Sequence, residues 1–274
     1  MVKKVLLFAL LLNIFFLTGC RNDLLGLFGS NDLNKRLKEK DSFIFLTAAD
    51  RAPAFGNSYQ FIVVTDTHIE DGNAFGLDKL STAVTASSAE FVVVCGDITQ
   101  NGKTKDIEKF IDIANSLSVP CYPVIGNHDI FFGNFSNWKN KIGSTRYMIE
   151  GDTVNLLILD SANGYFGKSQ LDWLEREVKN AKNNSKKVFV FTHTNLFVKS
   201  LVDIQQFTDS REVARICSIL KGRCDAMFMG HTHRRLEREV GGVHYITVDG
   251  YKETRNYCLV TVDNGDVTWK FYKL

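Results

Sequence analysis

The sequence predicts an α/β fold, a layered sandwich of mixed β-sheets flanked by helices, forming a single domain over residues 59–274. Three observations carry this. From residue 59 onward, apolar runs of β-formers alternate with amphipathic helical patterns. Several of those runs are apolar throughout, as strands buried on both faces are. The chain then closes on hairpin-like strands around Asp263-Asn264-Gly265-Asp266, where Asn-Gly is a hairpin turn signal.

The elements follow in order. Residues 61–65 and 91–95 read as buried strands, with a weaker helical pattern at 78–89 between them. Residues 107–117 form an amphipathic helix with Ile107, Phe110, Ile111 and Ala114 on one face. Strands at 122–125 and 154–159 precede a helix at 169–181, on which Leu171, Leu174 and Val178 align. A strand at 188–191, a helix at 210–220 and strands at 226–229, 243–248, 258–262 and 267–271 complete the pattern.

The N-terminus is different. Residues 1–4 are short and basic, and residues 5–17 are almost unbroken apolar sequence. A bilayer span takes ~20 residues, so this core fits a signal-peptide h-region instead. Leu17-Thr18-Gly19-Cys20 resembles the bacterial lipobox, which implies a signal peptide over 1–19 and a lipidated Cys20. Stable anchoring takes more than one acyl chain, and a multiply acylated Cys20 would hold the body at an extracytoplasmic membrane face, periplasmic or surface. Residues 20–58 are then the lipidated Cys and a tether, with a charge run at 35–41 and small and turn residues at 52–58; residues 43–46 could instead add an edge strand.

Without residues 1–19, basic and acidic residues balance at 31 each. A neutral body argues against general nucleic-acid binding, which needs a basic stripe. Besides Cys20 there are five cysteines, an odd number, so at least one thiol stays unpaired in a monomer. Cys95 and Cys121 read as buried hydrophobes; Cys217 and Cys224 are near enough for a disulfide, with separate thiols the simpler reading.

Chemistry concentrates in five segments: Asp66-Thr67-His68, Gly96-Asp97, Gly126-Asn127-His128-Asp129, His193 and Gly230-His231-Thr232-His233. They hold five of the six histidines, all but His244, and each follows an apolar strand-like run. Loops held by a rigid sheet are where catalytic residues gather. Imidazole, carboxylate and amide oxygen together suit divalent metals without a thiolate. In Asp66-x-His68, strand alternation would put both side chains on one face. Gly96, Gly126 and Gly230 would permit tight turns or close backbone approach. His244, at the start of a strand, reads as structural.

Taken in order, these segments resemble the calcineurin-like metallophosphoesterase family, whose pattern is Asp-x-His, Gly-Asp, Gly-Asn-His-Asp/Glu, His and Gly-His-x-His. The resemblance runs from residue 61 to 274. With the helix sequence Gln170-Leu-Asp-Trp-Leu-Glu175, it is most similar to the branch containing cyclic-nucleotide phosphodiesterases. It implies a phosphoric ester hydrolase with two divalent ions, manganese, iron or zinc, and direct attack of a metal-bridging hydroxide on phosphorus. It makes Asp97 the bridge, with Asp66, His68 and His233 completing one ion and Asn127, His193 and His231 the other.

The resemblance also gives His128 the task of stabilising the phosphoryl charge or protonating the leaving oxygen, with Asp129 orienting its other ring nitrogen. Purple acid phosphatases carry a Tyr three residues after the Gly-Asp aspartate. That position is Gln100 here, so no iron–tyrosinate site is expected. The implied substrate is a small phosphodiester or nucleotide; the alternatives are a phosphomonoester and, in another class, a binding lipoprotein with a vestigial metal site. Arg234 is a weak candidate for substrate phosphate, against a plain solvated loop charge. Phe131 and Phe132 could stack a nucleobase or pack in the core.

Overall fold

The computed structural model describes residues 32–38, 56–198 and 206–274. The expected signal peptide, Cys20 and the alternative strand at 43–46 lie outside the described residues.

Two mixed sheets pack face to face. In the first, β1 (Ser58–Val64) pairs in parallel with β2 (Phe91–Cys95), and β2 in parallel with β3 (Cys121–Val124). The hairpin of β10 (Asn256–Asp263) and β11 (Asp266–Lys273) adds antiparallel to the free side of β1, giving the order β11-β10-β1-β2-β3. The second sheet has the order β4-β5-β6-β7-β9-β8. Its members are β4 (Tyr147–Glu150), β5 (Val154–Ile158), β6 (Lys187–Phe191), β7 (Ala226–Met229), β8 (Leu236–Val240) and β9 (Val243–Thr247). There β5, β6, β7 and β9 run parallel, while β4 and β8 are antiparallel edges.

The inner faces meet in an aromatic core. The Phe61 ring stacks on Phe91 at 4.6 Å and meets Phe189 and Phe228 edge-on at 5.2 and 5.8 Å. The outer face of the first sheet is covered by α2 (Leu80–Ser87), α3 (Thr104–Asn115) and α4 (Phe135–Lys141), through Leu80, Val84, Ile107, Phe110 and Trp138. The second sheet is covered by α5 (Lys168–Asn183) and α6 (Ser210–Leu220), through Leu171, Leu174, Val178, Ile216 and Leu220. Because β2 is buried on both faces, its sequence Phe-Val-Val-Val-Cys cannot alternate. Burial of each Phe stabilises by about 1.5–3 kcal/mol, which makes this core the rigid base under the loops.

Some elements differ from expectation. Strand β8 is exposed at every position, so no apolar alternation marks it. Helix α4 and the single-turn α7 (Tyr251–Thr254) are too short for a helical period to show. Cys217 and Cys224 do not pair; the Cys224 thiol lies 3.4 Å from the Val188 carbonyl. The His244 ring lies 4.9 Å from that of Trp269, and His244 is in none of the groups that could hold a metal among the described residues.

Part of the expected solvated tether is docked. Leu33–Arg36 forms one helical turn, α1, with Leu33 and Arg36 buried. The charge run conceals this, because Arg36 enters the body with a buried acid as its partner.

Candidate metal centre

The parallel strands β1, β2 and β3 of one sheet and β6 and β7 of the other each end just before one of the five segments. The sandwich thus gathers Asp66, His68, Asp97, Asn127, His128, His193, His231 and His233 at one edge. Asp66, His68, Asp97, Asn127 and His193 are buried, while His128, His231 and His233 are half-buried. Asp66 and His68 lie past the end of β1, so strand alternation is not what unites them. Both sit in the left-handed region, at φ 52° and 44°, as do Asp97 at 48°, His231 at 73° and His233 at 52°. Each such non-glycine residue costs about 1–2 kcal/mol. Their concentration here marks a site that the surrounding core holds in place.

Three overlapping groups could hold a metal ion: Asp66-His68-His233, His68-Asp97-His128 and Asp97-His193-His231. Asp97 links them. Its Oδ2 lies 3.2 Å from His193 Nε2, 3.8 Å from His68 Nε2 and 3.9 Å from His128 Nε2. Its Oδ1 accepts a bond from the His128 backbone N–H at 2.9 Å, which fixes the carboxylate. Asn127 Oδ1 joins at 3.1 Å from His193 Nε2.

The donor set fits cations. His68 Nε2 and His233 Nε2 face each other at 3.3 Å, and His231 Nδ1 faces His193 Nε2 at 3.2 Å. Two nitrogens bound to one ion at ~2.1 Å sit ~3.0–3.4 Å apart. Asp66 Oδ1 and His68 Nδ1 are buried without a hydrogen bond, the imidazole nitrogen His233 Nε2 lying 3.3 Å from Asp66 Oδ1. In water-free protein such atoms call for a further partner, and for Asp66 Oδ1 an ion supplies one.

Backbone and carboxylate groups aim the imidazoles. His193 Nδ1 donates to the Cys95 carbonyl at 2.9 Å and His128 Nδ1 to the Gln100 carbonyl at 2.8 Å, so both turn Nε2 inward. Glu253 of α7, 3.1 Å from His233 Nδ1, does the same for His233. Neither Glu253 nor these carbonyls carries a sequence signal, because Glu253 lies outside the five segments and every residue has a backbone carbonyl. Helix α7 also brings Lys252, whose Nζ donates to Gln100 Oε1 at 3.2 Å.

Burial and neighbouring charge compete at His193, His233, Asp97 and Asp66. Burial alone would lower the pKa of His193, but the Asp97 and Asp66 carboxylates and the Cys95 carbonyl push it up to about 10. The Asp66 carboxylate, 3.3 Å from His233 Nε2, outweighs burial at His233 and raises it to about 9. Burial opposes ionisation of Asp97, yet His193, His128 and His68 hold it well below the usual carboxylate range. Asp66 is also lowered, with His233 and His193 overcoming its burial. Burial lowers His68. The raised His193 and lowered Asp97 make this pair a proton-bearing contact that a metal cation could replace.

Asp129 does not orient His128. Its carboxylate accepts from the N–H groups of Ile98, Thr99 and Gly126 and from the Thr99 hydroxyl, bracing the loop after β2 against the loop after β3. Burial and the neighbouring Asp97 push its pKa up to about 6. The glycines act by close approach. A methyl on Gly96 would fall 2.6 Å from the His193 ring, and one on Gly126 would overlap the backbone nitrogen and Oδ1 of Asp97. Arg234 is exposed, with no side-chain partner among the described residues, whereas Arg235 stacks over Phe271 at 3.6 Å. Phe131 packs 4.2 Å from the His128 ring, and Phe132 is 80% exposed, so Phe132 is not core.

Residues 59–235 match the model of the family described as calcineurin-like phosphoesterase. The chain belongs to the calcineurin-like phosphoesterase family. It is a hydrolase of phosphoric esters with a divalent-metal centre of Asp and His residues. Among its relatives is a 3',5'-cyclic-nucleotide phosphodiesterase of Nostoc sp., 24% identical over 200 residues, covering 67% of this chain and 74% of that one. A probable glycerophosphodiester phosphodiesterase of Arcobacter nitrofigilis is 28% identical over 204 residues, covering 63% and 71%. In fold the chain is similar to a dimetal phosphatase from Danio rerio, at TM-score 0.62 and 14% identity, covering 78% of this chain and 99% of that one. It is also similar to a purple acid phosphatase from yellow lupin, at TM-score 0.65 and 12% identity, covering 81% and 52%. Gln100 stands where the sequence pattern of purple acid phosphatases has Tyr, and its side chain reaches Lys252 and His128.

Proposed function

We propose that this phosphoesterase hydrolyses a small phosphodiester with two divalent ions, manganese, iron or zinc, bridged by Asp97. The observation that carries this is the position of Asp97 Oδ2 between His193 on one side and His68 on the other. Asp66, His68 and His233 would complete one ion, and Asn127, His193 and His231 the other. The His128 N–H bond to Oδ1 would hold the Asp97 carboxylate in place between the two ligand groups. When bound, the pair supplies Lewis acidity and lowers the pKa of a coordinated water, so no covalent phospho-enzyme is required.

The chain's own residues do the rest. His128, half-buried and anchored at Nδ1, presents Nε2 at the rim of the centre, where it can stabilise the phosphoryl charge or protonate the leaving oxygen. Phe132 sits one ring beyond Phe131 from His128, at a left-handed φ of 56° unusual for an aromatic. Its exposed face suits a nucleobase or another planar leaving group. Relatives named for cyclic nucleotides and for glycerophosphodiesters support a diester over a monoester. A panel of cyclic nucleotides, linear diesters, glycerophosphodiesters and monophosphates, with and without manganese, tests the substrate class. Faster turnover of monophosphates than of every diester would overturn it.

We also read Cys20 as the lipid anchor of an extracytoplasmic protein, on the sequence Leu17-Thr18-Gly19-Cys20. Cys20→Ser should shift the protein out of the membrane fraction; lipid labelling that persists in this variant would rule the anchor out.

A further inference from the structure

The turn Leu33–Arg36 is outside residues 59–235, yet it is fastened to the loop after β5, which in turn holds the loop that carries His193. The Arg36 guanidinium makes a two-point contact with Asp160, Nε to Oδ2 at 2.7 Å and Nη2 to Oδ1 at 2.8 Å, and Nη2 also reaches Asn163 Oδ1 at 2.6 Å. Arg36 is 2% exposed and Asp160 0%. Leu33 is buried beside it, and the Phe135 ring of α4 lies 5.7 Å from the guanidinium carbon. Asp32 caps the turn, accepting from the Asn34 N–H at 2.6 Å.

The next residue, Ser161, grips both neighbours of His193. Its Oγ accepts from the Thr194 N–H at 2.8 Å and from the Thr192 hydroxyl at 2.8 Å, and its carbonyl accepts from the Thr194 hydroxyl at 2.8 Å. Gln170 fixes the same stretch from behind, exchanging two bonds with the Asp160 backbone at 2.8 and 3.0 Å. His193 is thus held by a buried loop whose carboxylate takes its counter-charge from the N-terminal segment. Without Arg36, Asp160 would be a buried charge short of a partner. Such a charge draws in water or moves its loop, and this loop moves with Thr192 and Thr194.

We propose that residues 32–38 are a built-in strap, with Arg36 as a positioning residue for His193. The metal site completed by Asn127, His193 and His231 then depends on a segment outside the family's matched region. This rests on the two-ion reading above.

The test uses the full-length chain in detergent, with wild type, Arg36→Met, Arg36→Lys and the double variant Arg36→Met/Asp160→Asn. Bound manganese per chain is measured by elemental analysis and calorimetric titration, alongside thermal unfolding. Wild type should bind two ions. Arg36→Met should keep one at unchanged affinity and bind the second at least tenfold more weakly. Removing the orphaned charge in the double variant should recover much of that loss. Arg36→Lys, which keeps the charge without the planar fork, should fall between and serves if Arg36→Met does not fold. A merely structural role would lower the unfolding temperature while leaving both affinities intact, and that result overturns the strap. A wild type that binds only one ion refutes the two-ion reading and the strap together.

Discussion

Replacing Gly126 with Ala tests how tightly the backbone fixes Asp97. The added methyl would lie 2.9 Å from Asp97 Cα and overlap the Asp97 nitrogen and Oδ1. Carbon atoms in contact sit ~3.5–4.0 Å apart, so one loop must retreat by about 1 Å. Gly126 has no left-handed φ, so the effect is steric alone. Overpacking of this kind costs about 1–3 kcal/mol. At ~2–4 °C per kcal/mol for a domain of this size, the melting temperature should fall by about 2–12 °C. Function should suffer more, because a 1 Å misplacement costs about 10²-fold in rate. The assay is kcat on bis-p-nitrophenyl phosphate with bound manganese measured in parallel. Gly56→Ala, whose methyl would meet nothing closer than 3.9 Å, is the control. Wild-type activity and metal content in Gly126→Ala would refute the claim that this approach positions Asp97.

Three further outcomes are expected. His128→Ala should lower kcat by about 10²–10⁴-fold with metal content unchanged; loss of a bound ion instead would make His128 a ligand. Glu253→Gln weakens the partner that aims His233, so metal affinity should drop by about 10–100-fold; unchanged affinity would show that the Glu253 contact does not tune the site. His193 at about 10 and His233 at about 9 are both protonated in the metal-free chain at neutral pH. Each must give up a proton to bind an ion, so affinity at each site should rise about tenfold per pH unit from 6.5 to 8.5 and level off above those pKa values. Calorimetry in buffers of different ionisation enthalpy reads the protons released, and affinity flat across that range would contradict the assignment.

Much of the molecule was legible in the sequence where local pattern and burial agree. The apolar runs of β1, β2, β3, β6 and β7 read as buried strands, and the turns after them hold the predicted ligands. What was hidden depends on distance along the chain. Glu253 and Lys252 meet the site only because β9 leads back to it. Arg36 reads as one charge in a solvated run until Asp160, 124 residues later, is placed against it. Adjacency to His128 suggests contact for Asp129, whereas the backbone after His128 turns its carboxylate toward three donors on the loop after β2 and one, the Gly126 N–H, on its own loop. Phe132 was ambiguous because a Phe pair following a buried strand looks the same in sequence whether it faces core or solvent.

The most direct test is a manganese titration of the metal-stripped chain, with bound metal and bis-p-nitrophenyl phosphate hydrolysis followed in the same samples. The two-ion account predicts negligible turnover up to one equivalent, a rise to full activity as the second binds, and complete loss on chelation. Full activity at one equivalent, or turnover that survives thorough metal removal, would contradict it.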